Sequence, residues 1–299
     1  MANTQATTGG NLHARAILVS LRISSWSARK FDKKVTREAA AAHGADESAG
    51  RYNKSLLPTA ARLSQTNSFK TLTQHIAATR AWHYEQTLRW SDDGWQLLPI
   101  KNYQAYTDGI RERQHTFNRL LREFIADYPH LREQAKLLLN GMFEQADYPT
   151  DIASRFSFGI EFAPVPSGTD FRVALANDEI EAIAASTETR VKTAFAEAQK
   201  DAVKRLFETV EKIVDRLSQP DAIFRDTLIG NARELCGVLG RLNIAEDANL
   251  ERLRRETELL AASEPETIRN NDAVRVETAA RAQSILDEMI GTYGKGLLG

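Results

Sequence analysis

Cysteine is almost absent from this chain. With the single residue Cys236 in 299 positions, neither an intramolecular disulfide nor a cysteine-based zinc site can form. A lone thiol suits a reducing compartment, and the expectation is a cytoplasmic protein. Excess charge of one sign is missing too: 39 basic and 40 acidic residues leave a formal net charge of -1. No global field pulls the chain toward nucleic acid or an anionic membrane, so any such contact needs a local patch. Nowhere does an apolar run reach the ~18 residues of a membrane-spanning helix. The segment Ala16–Val19 is too short for the apolar core of a signal peptide. No repeat at a solenoid period is present.

Recognisable catalytic and metal-binding motifs are lacking as well. The histidines are His13, His43, His75, His83, His115 and His130. No pair has the i, i+4 spacing of a helical zinc motif, so no metal or cofactor is expected. Ser27-Ala-Arg-Lys30 has the spacing of serine–lysine acyl enzymes but lacks their companion motifs. Gly291-Thr-Tyr-Gly-Lys-Gly296 lacks the spacing of a phosphate-binding loop and the strand that precedes one. Cys236 lies in a helical apolar stripe with Leu228, Leu235 and Leu239 and reads as a small core residue.

What is present is a core-forming composition, 42% hydrophobic and 26% charged, distributed with helical periodicity. Residues 1–11 read as a disordered leader, Arg15–Ile23 as a strand, and Trp26–His43 as a helix ended by Gly44. A short helix is expected at Thr59–Leu63. Ser68–Trp90 reads as a helix capped by Ser68, with Leu72, Ile76, Thr79, His83 and Leu88 near one face. Asp92-Asp93-Gly94 is turn chemistry. Gln104–Ala126 is helical, Pro129 interrupts, and Leu131–Gln145 resumes. Residues 155–163 alternate as a half-buried strand, with Phe156, Phe158, Ile160 and Phe162 on one face. Residues 171–175 return as its hairpin partner.

The longest helix is expected at Asp178–Leu217. Its apolar residues fall at steps of three and four, ending in the stripe Val203, Leu206, Val210, Ile213 and Leu217. That is coiled-coil spacing, and a helix of that length would run roughly 60 Å. Beyond Pro220, helices are expected at Asp221–Leu239, Ala248–Ala262 and Glu266–Ile290, then a loose tail, 291–299. The fold class expected is mainly α: an elongated helical bundle or coiled coil with a small antiparallel β element, a hairpin at about 155–175 joined by the strand at 15–23. The domains expected are 12–218 and 219–290.

Two surfaces attract attention. Lys30, Lys33, Lys34 and Arg37 would share one face of the expected helix with Arg29 at its edge, an anion-attracting patch with no base-reading chemistry. The stripe Val203 to Leu217 must meet another helix, of this chain or a second one.

The stretch Ile17-Leu-Val-Ser-Leu-Arg-Ile-Ser-Ser-Trp-Ser-Ala-Arg-Lys-Phe-Asp-Lys-Lys-Val-Thr-Arg-Glu38, a strand running into a Trp-Ser-Ala-Arg-Lys helix start, resembles an uncharacterised family of tailed phages and conjugative elements. The resemblance continues through Asp93-Gly-Trp-Gln-Leu-Leu-Pro99 and on to about Leu217; the part after Pro220 departs from it. The resemblance assigns no activity and no catalytic residue. It implies an accessory or adaptor role, since the family's genes often lie beside those of a MoxR-type AAA+ ATPase and a von Willebrand A-domain protein. The reading is a non-enzymatic helical scaffold acting by self-association or by binding another protein. The alternative is a non-specific nucleic-acid-binding protein using the basic helix face. A helical pore-former with a β-tongue is a third, opposed by Arg155 and Glu161 on one strand face.

Overall fold

A computed structural model describes residues 12–58, 67–90, 93–168, 177–219 and 225–294. About 70% of it is helical, beside a small antiparallel sheet of four strands. The strands are β1 (Ala16–Ser24), β2 (Arg29–Phe31), β3 (Asn53–Ser55), β4 (Leu88–Arg89), β5 (Trp95–Pro99) and β6 (Ser157–Pro164). The helices are α1 (Lys33–Ala42), α2 (Ser68–Glu85), α3 (Ile100–Leu139), α4 (Asn177–Leu217), α5 (Thr227–Leu242), α6 (Ala248–Leu260), α7 (Pro265–Asn270) and α8 (Asp272–Tyr293). No helix among the described residues is long and apolar enough to cross a membrane.

The sheet runs β4-β5-β1-β6, and β2 pairs with β3 as a separate ribbon. β1 is the strand expected at 15–23, and β6 is the first strand of the expected hairpin. The return strand at 171–175 and the helix at 59–63 lie outside the described residues. β6 pairs with β1, and β1 pairs antiparallel with β5 in the register Ala16↔Pro99, Leu18↔Leu97 and Ser20↔Trp95. β4 and β5 were not expected. Gln96, Leu97, Leu98 and Pro99 are all buried, so β5 has none of the alternation that reveals a half-exposed strand. Gly94 takes φ +89 just before β5, a conformation suited to glycine.

Several helix ends differ from expectation for identifiable reasons. α2 stops at Glu85 instead of Trp90 because Leu88 and Arg89 pair with Leu97 and Gln96. Its cap is Asn67, whose side chain accepts the Phe69 N–H at 2.8 Å; Ser68 donates instead to Asp127 at 2.6 Å. α3 does not break at Pro129 but runs through it for 40 residues. An interior proline costs about 3 kcal/mol. Phe124, Tyr128, Leu131 and Ala135, buried on either side of it, offset that, since each large apolar side chain contributes ~1.5–3 kcal/mol. The helix expected at 266–290 is two, α7 and α8, because the Asn271 side chain accepts the N–H groups of Ala273 and Val274 and starts a new helix. The helix expected at 26–43 begins only at Lys33, where the Asp32 carboxylate accepts the Val35 N–H at 3.1 Å. Its end is as expected: α1 stops at Ala42 and Gly44 takes φ +61.

The chain divides into two compact units, one of residues 1–20, 82–108 and 161–299 and one of residues 21–81 and 109–160. The boundary expected at 218/219 does not separate them, because α5, α6 and α8 pack with α4 in the first unit. Its core joins Val203, Leu206, Val210, Ile213 and Leu217 of α4 to Ile229, Cys236 and Leu239 of α5, Leu253 of α6, and Ile285 and Met289 of α8. Arg275 of α8 closes the end of α4, donating to the carbonyls of Leu217 and Arg216 at 3.2 Å and to that of Gln219. A cation is well placed there, at the negative end of the helix dipole. The second unit's core is aromatic. Trp26 meets Phe69 and Tyr128 edge-on, Phe124 meets Phe156, and Phe117 meets Phe158.

Candidate functional site

The basic segment folds differently from a helix face. Arg29 and Lys30 lie on β2, while Lys33, Lys34 and Arg37 lie on α1. The chain turns into β2 at Ala28, which is buried at φ +51 and whose carbonyl accepts the Leu56 N–H at 2.8 Å. The ribbon register sets Lys30 directly opposite Lys54. Like charges in that position repel, and here a carboxylate sits between them.

That carboxylate is Asp147, whose side chain is fully buried. Lys30 Nζ hydrogen-bonds its Oδ1. Lys54 Nζ lies 2.9 Å from its Oδ2, a charge contact that is off the hydrogen-bonding direction. Lys54, 2% exposed, also donates to the Met142 carbonyl at 2.8 Å. Asp32 at 3.8 Å and Glu144 at 3.9 Å complete its surroundings. Burial pushes the Asp147 pKa up, but the Lys30 hydrogen bond and the charges of both lysines outweigh it and hold the group below the usual carboxylate range. The hydrogen bond to Asp147 raises Lys30. Both ends therefore stay ionised at neutral pH, and the cluster is a clasp holding the ribbon to the turn at 144–147 rather than an acid–base pair. Arg37 is similarly engaged, by Glu47 at 3.0 Å. The five-residue basic face is thus not assembled. Arg29, Lys33 and Lys34 are exposed and form no such ion pair among the described residues. Ser27 and Lys30 form no dyad: the serine hydroxyl faces the Arg29 backbone.

The association stripe is assembled, but inside the molecule. Val203, Leu206, Val210, Ile213 and Leu217 are 0–3% exposed. Their neighbours are helices of the same chain, so the stripe needs no second protein to cover it.

The remaining candidates fall into core roles. Cys236 is buried, and that burial pushes its thiol up to about 12, far from a reactive thiolate. His75 Nε2 lies 2.9 Å from the Arg113 carbonyl oxygen. His83 is 2% exposed, with Nδ1 2.8 Å from the Tyr106 hydroxyl. Burial lowers its pKa to about 4 and raises that of Tyr106. Among the described residues, no three His, Cys, Asp or Glu side chains converge on a metal position. Gly291 lies within α8, and Lys295 and Gly296 are outside the described residues.

One feature had no signal in the sequence. Phe162 of β6 is 45% exposed and meets Tyr103 of α3 edge-on, ring centroids 6.0 Å apart. Tyr103 is 39% exposed, and Ile100, one turn earlier on the same helix face, is 48% exposed. Alternation along residues 155–163 assigned Phe162 to the covered face of its strand, yet that face is only partly covered. Compared with protein-family models, with curated proteins and with solved structures, the chain matches none.

Proposed function

We propose that this protein is a non-enzymatic helical scaffold, of a phage or mobile element, that works by association with other protein chains. The reading is carried by the contiguous exposed side chains Ile100, Tyr103 and Phe162 in the first unit. Scattered apolar residues on a surface need no explanation. Two aromatic rings in mutual contact beside an isoleucine are different: they supply the residue types that anchor interfaces. The stripe on α4, by contrast, is already covered and serves the fold.

The occupant proposed for this surface is a second copy of the chain. A two-fold contact would lay Tyr103 and Phe162 of each copy against the same pair on the other. The patch is small, which fits a weak, concentration-dependent dimer. The resemblance of residues 17–38 and 93–99 to the phage family supports a place in the host cytoplasm beside an AAA+ ATPase, which would be a partner and not part of this chain.

Light scattering over a concentration series tests the proposal. The expected result is a rise in average mass with concentration, abolished in Tyr103→Arg/Phe162→Arg. A constant monomer mass, or a mass rise the double variant leaves intact, overturns it.

A further inference from the structure

The ribbon has a second face. Strand alternation puts Arg29 and Phe31 on the side away from Lys30, opposite Ser55 and Asn53 of β3. All four residues are exposed. The Arg51 guanidinium lies 4.8 Å from the centroid of the Phe31 ring, and that ring is 38% exposed. Lys33 and Lys34, both exposed, follow two and three residues later. They occupy the first turn of α1, which holds no acidic residue. Cations at the positive end of a helix dipole are unfavourable for stability, so the fold does not explain them. Lys30, the cation between Arg29 and Phe31 in sequence, is turned to Asp147.

From this arrangement we infer that the outer face of the β2–β3 ribbon binds single-stranded nucleic acid without sequence preference. Phe31 is a platform on which an unstacked base lies, with Arg51 supporting the ring by a cation–π contact. Arg29, Lys33, Lys34 and Arg51 meet the phosphates. The chemistry selects this ligand over its rivals. An acidic peptide offers charge but no succession of π-faces, and a duplex hides its bases from a ring on a flat ribbon. The inference goes beyond the association reading, uses none of its residues, and replaces the expected basic helix face by Arg29 and Phe31 of β2 with Lys33 and Lys34 of α1 and Arg51.

The test is fluorescence anisotropy of the full chain with a labelled oligothymidine of ~20 nucleotides, against a duplex of equal length and polyglutamate. Binding at low salt is expected to weaken with salt, log K against log [salt] having a slope no steeper than about -3 for four cations at single-strand phosphates. Phe31→Ala is expected to weaken binding roughly tenfold and Phe31→Trp to restore it. Replacing Arg29, Lys33, Lys34 and Arg51 by alanine removes it, while Arg37→Ala, which loses only the contact to Glu47, leaves it within about twofold. Circular dichroism melting confirms that each variant folds. No binding at low salt overturns the inference. So does equal affinity for duplex or polyglutamate, and so does full binding by a folded Phe31→Ala.

Discussion

Acid should destabilise the first unit through one buried histidine. His83 is held neutral by burial with its pKa near 4, against about 6.5 in an unfolded chain. The fold therefore resists protonation while the unfolded chain accepts it. Between pH 6.5 and 4 the unfolded state binds more protons, so stability present above pH 6.5 is lost as pH falls through that window. A difference of about 2.5 units corresponds to about 3 kcal/mol, a large share of the ~5–15 kcal/mol that holds a typical domain together. The raised Tyr106 keeps its proton, and either neutral tautomer of His83 satisfies its 2.8 Å contact with Nδ1: the hydroxyl donates to a bare Nδ1 or accepts from Nδ1–H. Urea unfolding followed by tryptophan fluorescence at pH 7, 5.5 and 4.5 reads the loss; Trp82, stacked on Tyr106 at 5.3 Å, is the local reporter. His83→Gln should be less stable at pH 7 and show a flatter pH dependence. A His83 imidazole titrating near pH 6.5 by NMR, or identical pH slopes for wild type and variant, refutes the reasoning.

Other perturbations have equally definite outcomes. Leu206→Ala, at a fully buried position, should cost about 2–5 kcal/mol in denaturant unfolding. Asp147→Asn strips the buried Lys54 of its nearest carboxylate and leaves it facing Lys30 across the ribbon; breaking the buried Lys54–Asp147 pair should cost about 3 kcal/mol, and hydrogen exchange should show residues 29–31 and 53–55 opening first. Because the Asp147 pKa is lowered, the clasp's contribution is present above the unfolded carboxylate pKa and lost as pH falls through the folded one. Asn271→Ala removes the acceptor that starts α8 and should lower stability by about 0.5–2 kcal/mol.

Long elements were legible in the sequence, and short or wholly buried ones were not. α4 could be placed from Val203 to Leu217 because its residues recur at helical steps on one face. β5 could not: Gln96 through Pro99 are all buried, and a pattern needs an exposed side to be seen. The ribbon strands are three residues each, and β2 ends two residues before α1, so the helix expected at 26–43 absorbed it. The α7–α8 break turns on one asparagine whose side chain takes the place of helix continuation. The basic cluster was found by composition, but its division was hidden. Lys30 meets Asp147 across 117 positions of sequence, and no local rule announces such a contact. Likewise, the spacing of the α4 stripe shows that it needs a neighbour; only the packing of α5, α6 and α8 shows that the neighbour belongs to the same chain.

Hydroxyl-radical footprinting of dilute and concentrated protein bears most directly on where association occurs. The account predicts that oxidation of Tyr103 and Phe162 falls as concentration rises, while Val203, Leu206, Val210, Ile213 and Leu217 stay unreactive throughout. Fast oxidation of those α4 residues in the dilute sample, with Tyr103 and Phe162 unchanged between samples, would contradict it.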